Sequence, residues 1–414
     1  MIRTERIDVA VIGGGPAGMA AASASRQAGA ARVVLIERDP RLGGILNQCI
    51  HDGFGTKVFK EALTGPEFAG IYARKLKESG VETWLESTVI GFSPDRVLTI
   101  CSRKGITRLE TGAVVLAMGC RERSRGAIGI SGTRPAGIYT AGAVQAYMNL
   151  RNIAVGRRFV ILGSGDVGLI MARRLSLEGA EVVCVAEILP YPSGLARNVV
   201  QCLEDFGIPL YLNTTVVEIH GNSRVTGVTL AEVEPGGKMK RGSRRRVVCD
   251  TLMLSVGLIP ENELSARAGV KLSPVTRGPV VDDSFQTSIP GVFACGNVLQ
   301  VHDLVDYATL EAEKAGQSAA RYSQAQVLPA ANIPVEAGAG IRYVLPALVS
   351  GQEAVDFTMR VTAPSRERAI VFTDGTKEIR RLQQQVLAPA AMARVRLNRG
   401  RFDGAKKLVV EVAD

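Results

Sequence analysis

Two copies of one arrangement constrain this chain more than any other feature of its sequence. Ile7 to Ile12 is a short β-like run that leads into Gly13-Gly14-Gly15-Pro16-Ala17-Gly18, an Ala-rich helical stretch, and a second strand, Arg32 to Ile36, ending at Glu37. Arg158 to Leu162 leads in the same way into Gly163-Ser164-Gly165-Asp166-Val167-Gly168, a helix through Glu178, and a strand from Glu181 ending at Glu187. Each acid stands 24 residues after the first glycine of its motif. With 45 glycines among 414 residues, a bare G-x-G-x-x-G arises by chance about half a time per chain, so one match says little. Two matches, each between a strand and a helix and each followed by an acid at that spacing, predict two Rossmann-type βαβ units in an α/β protein.

The glycines have separate tasks. The first permits the tight turn, the second lets backbone approach a pyrophosphate, and the third brings helix and strand together. The anionic phosphates then meet the helix N-terminus. Glu37 and Glu187 are placed to accept hydrogen bonds from adenosine ribose hydroxyls, and no Arg immediately follows Glu187, which favours NAD(H) over NADP(H) there.

Several classes are excluded or disfavoured. The apolar stretch from Val9 to Ala24 is interrupted by three glycines and Pro16 and preceded by Glu5 and Asp8, so it reads as strand, turn and helix rather than a signal peptide. No run reaches the roughly 18 apolar residues of a membrane span, and a cytoplasmic protein is expected. The seven cysteines are scattered without a C-x-x-C pair, which indicates neither a disulfide framework nor a metal site. Much of the +10 charge comes from Lys238, Lys240, Arg241, Arg244, Arg245 and Arg246, in a Gly-containing segment between two strand-like runs. This reads as a solvated hairpin, with docking onto an acidic partner as the alternative. Nucleic-acid binding is not expected, since no aromatic residues interleave the charges.

With these motifs the sequence resembles the two-dinucleotide-binding flavoproteins related to disulfide reductases, over about residues 5 to 325. Val114-Val115-Leu116-Ala117-Met118-Gly119 resembles the segment at their first crossing between domains, and Leu252 to Gly257 its counterpart. Thr287-Ser288-Ile289-Pro290-Gly291-Val292-Phe293-Ala294-Cys295-Gly296-Asn297 resembles their second FAD fingerprint, with Asn297 where most relatives carry Asp. Asn still accepts a ribitol hydrogen bond through its carbonyl oxygen. The resemblance implies an FAD domain of residues 1–123 and 277–328, an NAD domain of 124–276 inserted within it, and a small β-rich domain at 329–414. It implies FAD contacts from Gly13, Gly15, Pro16, Ala17, Gly18, Glu37, Gly43, Gly44, Asn47, Gln48, Val89, Ala117, Gly119, Gly296, Asn297 and Asp303. For NAD the implied contacts are Gly163, Gly165, Asp166, Val167, Gly168, Glu187 and Gly257.

Gly43-Gly44-Ile45-Leu46-Asn47-Gln48-Cys49-Ile50-His51-Asp52-Gly53-Phe54-Gly55 and Cys295 to Tyr307 narrow the resemblance. They look like the bacterial NAD/FAD oxidoreductases encoded beside an FAD-dependent glycerol-3-phosphate dehydrogenase and a small Cys-containing protein, and more distantly like subunits of hydrogen cyanide synthase and of opine and hydroxyproline oxidases. The implied partners are therefore a dehydrogenase or oxidase subunit and a small Cys-containing protein.

The redox cysteines of disulfide reductases stand two and seven residues after Gly44, where this chain has Leu46 and His51, and the stretch from Gly126 to Tyr147 has no cysteine. A self-contained disulfide reductase is thereby rejected. Of three histidines, His51 and His302 fall in the flavin-side segments and are the candidates for proton handling or partner contact; both also have a structural reading. Asp303 is either a flavin-side group or the N-cap of the following helix. Cys49 is the one thiol in a flavin-side segment that invites a redox reading, and it reads as a buried small side chain in preference to a redox centre. Short strands over Ile341–Val349, Ala354–Val361, Ala369–Thr373 and Val395–Leu397 form the C-terminal domain, read as a partner-binding or oligomerisation module. Three functions stay open: electron transfer between NAD(H) and a partner through FAD, a stand-alone NADH oxidase, and a non-catalytic assembly subunit.

Overall fold

The computed structural model describes residues 3–325 and 327–414. The chain divides into two compact units, one of Met1–Cys120 with Pro260–Asp414, the other of Arg121–Ile259.

In the first unit, β1 (Arg3–Ile12), β2 (Val33–Ile36), β3 (Glu82–Trp84), β4 (Ser87–Phe92), β5 (Val97–Ser102), β6 (Gly105–Leu116) and the later Val292–Ala294 strand make one sheet, ordered β3-β2-β1-β6-β5-β4, with Val292–Ala294 also paired to β6. On the side away from β1, β6 divides its length between two neighbours. Its first half pairs antiparallel with β5, and its last residues pair in parallel with Val292–Ala294, in the register Val114 to Val292. The parallel part is buried on both faces, which is why β2 reads Val-Val-Leu-Ile without alternation.

Two helices cover one another beside it. α1 (Pro16–Gln27) and the long helix Val305–Ala325 cross through small residues, Ala20 and Ala21 against Ala312, Ala315 and Gly316. A Cβ at Gly316 would lie 2.1 Å from Ala21 O, and Ser25 Oγ donates to Gly316 O at 2.9 Å, so the backbones touch where larger side chains would hold them apart.

In the second unit, β7 (Ile138–Thr140), β8 (Arg158–Leu162), β9 (Glu181–Ala186), β10 (Leu210–Tyr211) and β11 (Thr251–Leu254) form a parallel sheet ordered β10-β9-β8-β11-β7, with α2 (Asp166–Leu177) crossing from β8 to β9. A smaller sheet carries the antiparallel pair Gly227–Glu232 and Arg245–Val247. The basic segment between those two strands is exposed, and Arg245 stacks over Tyr211 at 3.7 Å. The unit closes at Ile259. Residues 260–276, assigned above to the NAD domain, cluster with the first unit because Asn262 Nδ2 donates to Val298 O (2.8 Å) and Glu261 N to Gly119 O (3.0 Å).

The C-terminal segment has its own core around Phe357, Phe372 and Phe402. Ile333–Ala337, Leu348–Val349, Ser365–Thr373, Glu378–Leu387 and Leu408–Ala413 form a five-stranded sheet, and Ile341–Leu345, Val355–Val361 and Ala393–Leu397 a three-stranded one. Among the described residues no helix is long and apolar enough to cross a membrane, and no group of acidic, Cys and His residues could hold a metal ion.

Asp282 opens the turn that leads into the Thr287–Asn297 segment, its Oδ1 accepting from Ser284 N and Gln286 N, both at 2.9 Å. Burial, with neighbouring Asp283 adding to it, pushes its carboxyl up to about 6. The folded state thus holds this proton more tightly than the unfolded chain, so the stability it contributes is present at low pH and lost as pH rises towards 6. Asp282→Asn keeps an acceptor for both N–H groups without the charge. Discounting for solvent screening of a half-buried group, the variant is expected to be about 1 kcal/mol more stable at pH 7.5, with the gap closing as pH falls from 6 to 4. Denaturant unfolding across that range checks it; a gap that widens on acidification has the wrong sign.

Candidate functional site

Both glycine motifs are built the same way. In the first unit Gly13 has φ +108°, its N–H donates to Ile36 O at 2.9 Å, and a Cβ on it would lie 2.4 Å from Ala117 O. In the second, Gly163 has φ +93°, its N–H donates to Ala186 O at 2.7 Å, and a Cβ would lie 2.1 Å from Ser255 O. The third glycines are packed shut: a Cβ at Gly18 would lie 1.8 Å from Gly13 O, and one at Gly168 2.6 Å from Ser255 Cβ. The middle glycine differs in kind. A Cβ at Gly15 would meet no protein atom within 4 Å, although its φ of −72° suits any residue.

That open space lies at the start of α1, where Pro16 occupies the first turn, no side chain caps the helix, and the first turn has no acidic residue. Unpaired N–H groups of a helix N-terminus favour an anion. Glu37, 7% exposed, sits at the end of β2 with Oε2 accepting from Gly14 N (2.6 Å) and Oε1 from Asp39 N (2.8 Å). Gly43 N donates to Gly14 O at 2.9 Å, and a Cβ at Gly44 would lie 3.2 Å from Gly15 Cα. The Gly43-Gly44 turn is thus laid directly on the phosphate loop. A cradle open only at Gly15, an uncapped helix start and an oriented carboxylate fit the diphosphate and adenosine ribose of FAD.

The remaining FAD-side residues divide. Gly296 stands beside the motif, where a Cβ would lie 2.7 Å from Ala17 Cβ, and Gly119 keeps open space at φ +71°. Val89 lies on β4, two residues beyond Ser87, whose N–H donates to Glu37 O at 2.9 Å. Asn47 and Gln48 end the 3-10 turn Gly44–Gln48, Asn47 with its Nδ2 donating to Leu42 O at 2.9 Å and Gln48 buried. Asn297 Oδ1 accepts from His302 N at 3.0 Å and its Nδ2 faces Cys120 Sγ at 3.5 Å, so the amide orientation is fixed by a backbone donor. Asp303 does not cap the helix. Its Oδ2 accepts from Met392 N of the C-terminal segment at 3.0 Å, and Oδ1 is buried without a hydrogen-bond partner.

A buried polar cluster joins the flavin-side segment to the C-terminal strands. His302 is nearly enclosed, its Nδ1 3.3 Å from Asn297 Oδ1 and its Nε2 3.3 Å from Glu311 Oε2. Glu311 Oε1 accepts from Gly296 N (2.7 Å), and its Oε2 from Gln300 Nε2 (2.8 Å), which also reaches Thr358 Oγ1 at 2.8 Å. Arg360 donates to Val301 O at 3.0 Å. Glu311, Gln300, Thr358 and Arg360 were not singled out from sequence. The one available signal was a Glu on the small-residue face of a helix. Asp306, fully buried, accepts from Gly55 N, Lys57 N and Val58 N, which fastens the loop after His51 to the helix start. The His51 ring packs against Phe54 with centroids 5.0 Å apart.

Cys49 is a packing residue in its geometry: its thiol donates to Ile45 O at 3.3 Å, and burial pushes it up to about 12. A thiol so placed is a poor nucleophile at neutral pH.

In the second unit Glu187 is 3% exposed and accepts from Ser164 N and Leu189 N at 2.9 and 3.0 Å, the counterparts of the two bonds at Glu37. Val167 is partly exposed on the first turn of α2, and Gly257 keeps open space at φ +97°. Asp166 uses its carboxylate locally, Oδ1 accepting from Leu195 N (2.8 Å) and Asn198 Nδ2 (2.7 Å).

These features agree with comparisons against known proteins. The chain is 28% identical over 349 residues to the glutamate synthase [NADPH] small chain of Escherichia coli (strain K12), covering 74% of this chain and 66% of that one. It is 26% identical over 285 residues to hydrogen cyanide synthase subunit HcnB of Pseudomonas protegens, covering 63% of this chain and 58% of that one. It thus spans less than two thirds of either relative's length. The fold is similar to that of T. acidophilum thioredoxin reductase, with a TM-score of 0.63, 24% identity, and coverage of 77% of this chain and 99% of the other. Residues 7–317 match the pyridine nucleotide-disulphide oxidoreductase family, and the chain belongs to that family, an FAD- and NAD(P)-dependent oxidoreductase with two Rossmann-like domains and a β-rich C-terminal domain.

Proposed function

We propose that this chain exchanges a hydride with NAD(H) and passes the electrons to or from a partner dehydrogenase subunit of the glycerol-3-phosphate or amine and opine type. Bound FAD supplies the acceptor for the hydride, and the protein supplies binding and orientation. The observation that carries this reading is the absence of a cysteine pair from the flavin-side loop. Leu46 is buried and His51 packs on Phe54 at the two positions where a disulfide reductase would hold its cysteines, and the thiol of the neighbouring Cys49 is turned to Ile45 O. With no internal disulfide to reduce, electrons leave to another molecule.

A partner is favoured over a free acceptor by the residue pattern of the Gly43–Gly55 and Cys295–Tyr307 segments and by relatives that are themselves named as a small chain and a subunit. The Escherichia coli relative is named for NADPH, whereas a carboxylate at Glu187 favours NADH here. The isolated chain is expected to reduce a dye with NADH faster than with NADPH and to turn over glycerol 3-phosphate, opines and amino acids negligibly. Co-purification from the native host should retrieve a dehydrogenase subunit. Rapid oxygen consumption with NADH would instead identify an oxidase, and absence of flavin bleaching an assembly subunit.

A further inference from the structure

Glu187 and Glu37 occupy equivalent positions, yet their carboxylates are held differently. At Glu37 each oxygen has one backbone donor. At Glu187, Oε1 likewise has one, but Oε2 takes three: Ser164 N at 2.9 Å, Ser164 Oγ at 2.5 Å and Ser193 Oγ at 2.9 Å. The first motif cannot match this, because Gly14 stands where Ser164 stands. The arrangement is closed on itself. Ser164 Oγ donates to the carboxylate and accepts from Ser193 N at 2.8 Å, which folds the segment after β9 back onto the glycine motif. The same segment is pinned a second time through Leu195 N to Asp166 Oδ1.

We infer that Ser164 and Ser193 are positioning residues for cofactor selection: they lock the Glu187 carboxylate in place, so that it cannot turn aside for the 2′-phosphate of NADP. This rests on the reading of the second unit as the NAD site. A carboxylate with one or two donors rotates at little cost, and a phosphate brought near it then meets a displaced group. One with three donors on a single oxygen must give up charge-assisted bonds to move. The free side of Oε1 stays available to a ribose hydroxyl, so the lock acts against the phosphate without blocking NAD.

Calorimetric titration of the full FAD-loaded chain with NAD+ and NADP+ tests this without turnover. Ser193→Ala and Ser164→Gly, the latter copying the first motif, are expected to narrow the ratio of the two affinities about tenfold, mainly through tighter NADP+ binding, with thermal unfolding unchanged in at least one of them. Ser193→Thr, which keeps the hydroxyl, should restore the wild-type ratio. Unchanged ratios in both variants, with NAD+ still bound, overturn the inference alone. Failure of the wild type to bind either dinucleotide overturns the reading of the unit and the inference with it.

Discussion

Gly15→Leu is expected to yield a folded protein without FAD. A Cβ at this position meets no protein atom within 4 Å, and its backbone, at φ −72°, is one that leucine adopts readily. The first side-chain atom is therefore accommodated without a clash, and the unfolding midpoint should match that of deflavinated wild type. The side chain instead fills the space over the start of α1, against the N–H groups left for the diphosphate. Losing several charge-assisted bonds weakens affinity on the order of a hundredfold or more. Gly18→Leu provides the contrast, since its Cβ would be driven to 1.8 Å from Gly13 O. That variant should fail in folding rather than in binding. Absorbance at purification, with circular dichroism on both variants, checks the pair. A yellow Gly15→Leu protein with full FAD content would show that the diphosphate lies elsewhere.

Glu311→Ala should be the most damaging single side-chain truncation at the site. The carboxylate, 7% exposed, serves Gly296 N and Gln300 Nε2 and lies against the His302 ring, so its removal leaves buried donors without an acceptor. Orphaned buried groups of this kind cost about 3 kcal/mol in total, which lowers the melting temperature by about 5–10 °C for a domain of this size. Because the cluster holds the segment carrying Gly296 and Asn297, FAD should also dissociate more readily. Glu311→Gln retains one acceptor and should lose less than half as much. Thermal unfolding and fluorescence of released flavin are the readouts, and equal losses in both variants would place the effect outside the hydrogen bonds.

The parts of this architecture that were legible are those that backbone geometry dictates. Gly13 and Gly163 must adopt positive φ, Gly18 and Gly168 must admit a backbone carbonyl or a neighbouring Cβ, and such demands leave a fixed spacing in the sequence. The polar cluster left almost none. Glu311 meets Gln300 and His302 only after a turn and a helix have formed, and Thr358 reaches Gln300 from a strand 58 residues on. Ser193 was invisible for the same reason, being an ordinary loop serine until the chain folds back. Glu378–Leu387 escaped notice because an edge strand with both faces largely exposed has no apolar alternation to read. Asn297 was read through its chemistry alone; that its Oδ1 is turned to His302 N depends on a tight turn the motif does not specify.

That electrons pass between NAD(H) and FAD without any cysteine of this chain is checked by anaerobic titration of the FAD-loaded protein with NADH before and after alkylation of its accessible thiols. Cys184, Cys249 and Cys295 are buried and Cys49 half-buried, all with thiols pushed up by burial, and should stay unmodified, whereas Cys101 is exposed and should react. Flavin absorbance is expected to bleach to the same extent, and at nearly the same rate, in both samples. Loss of bleaching after alkylation, with FAD still bound, would contradict the thiol-free route and return a cysteine to the path of the electrons.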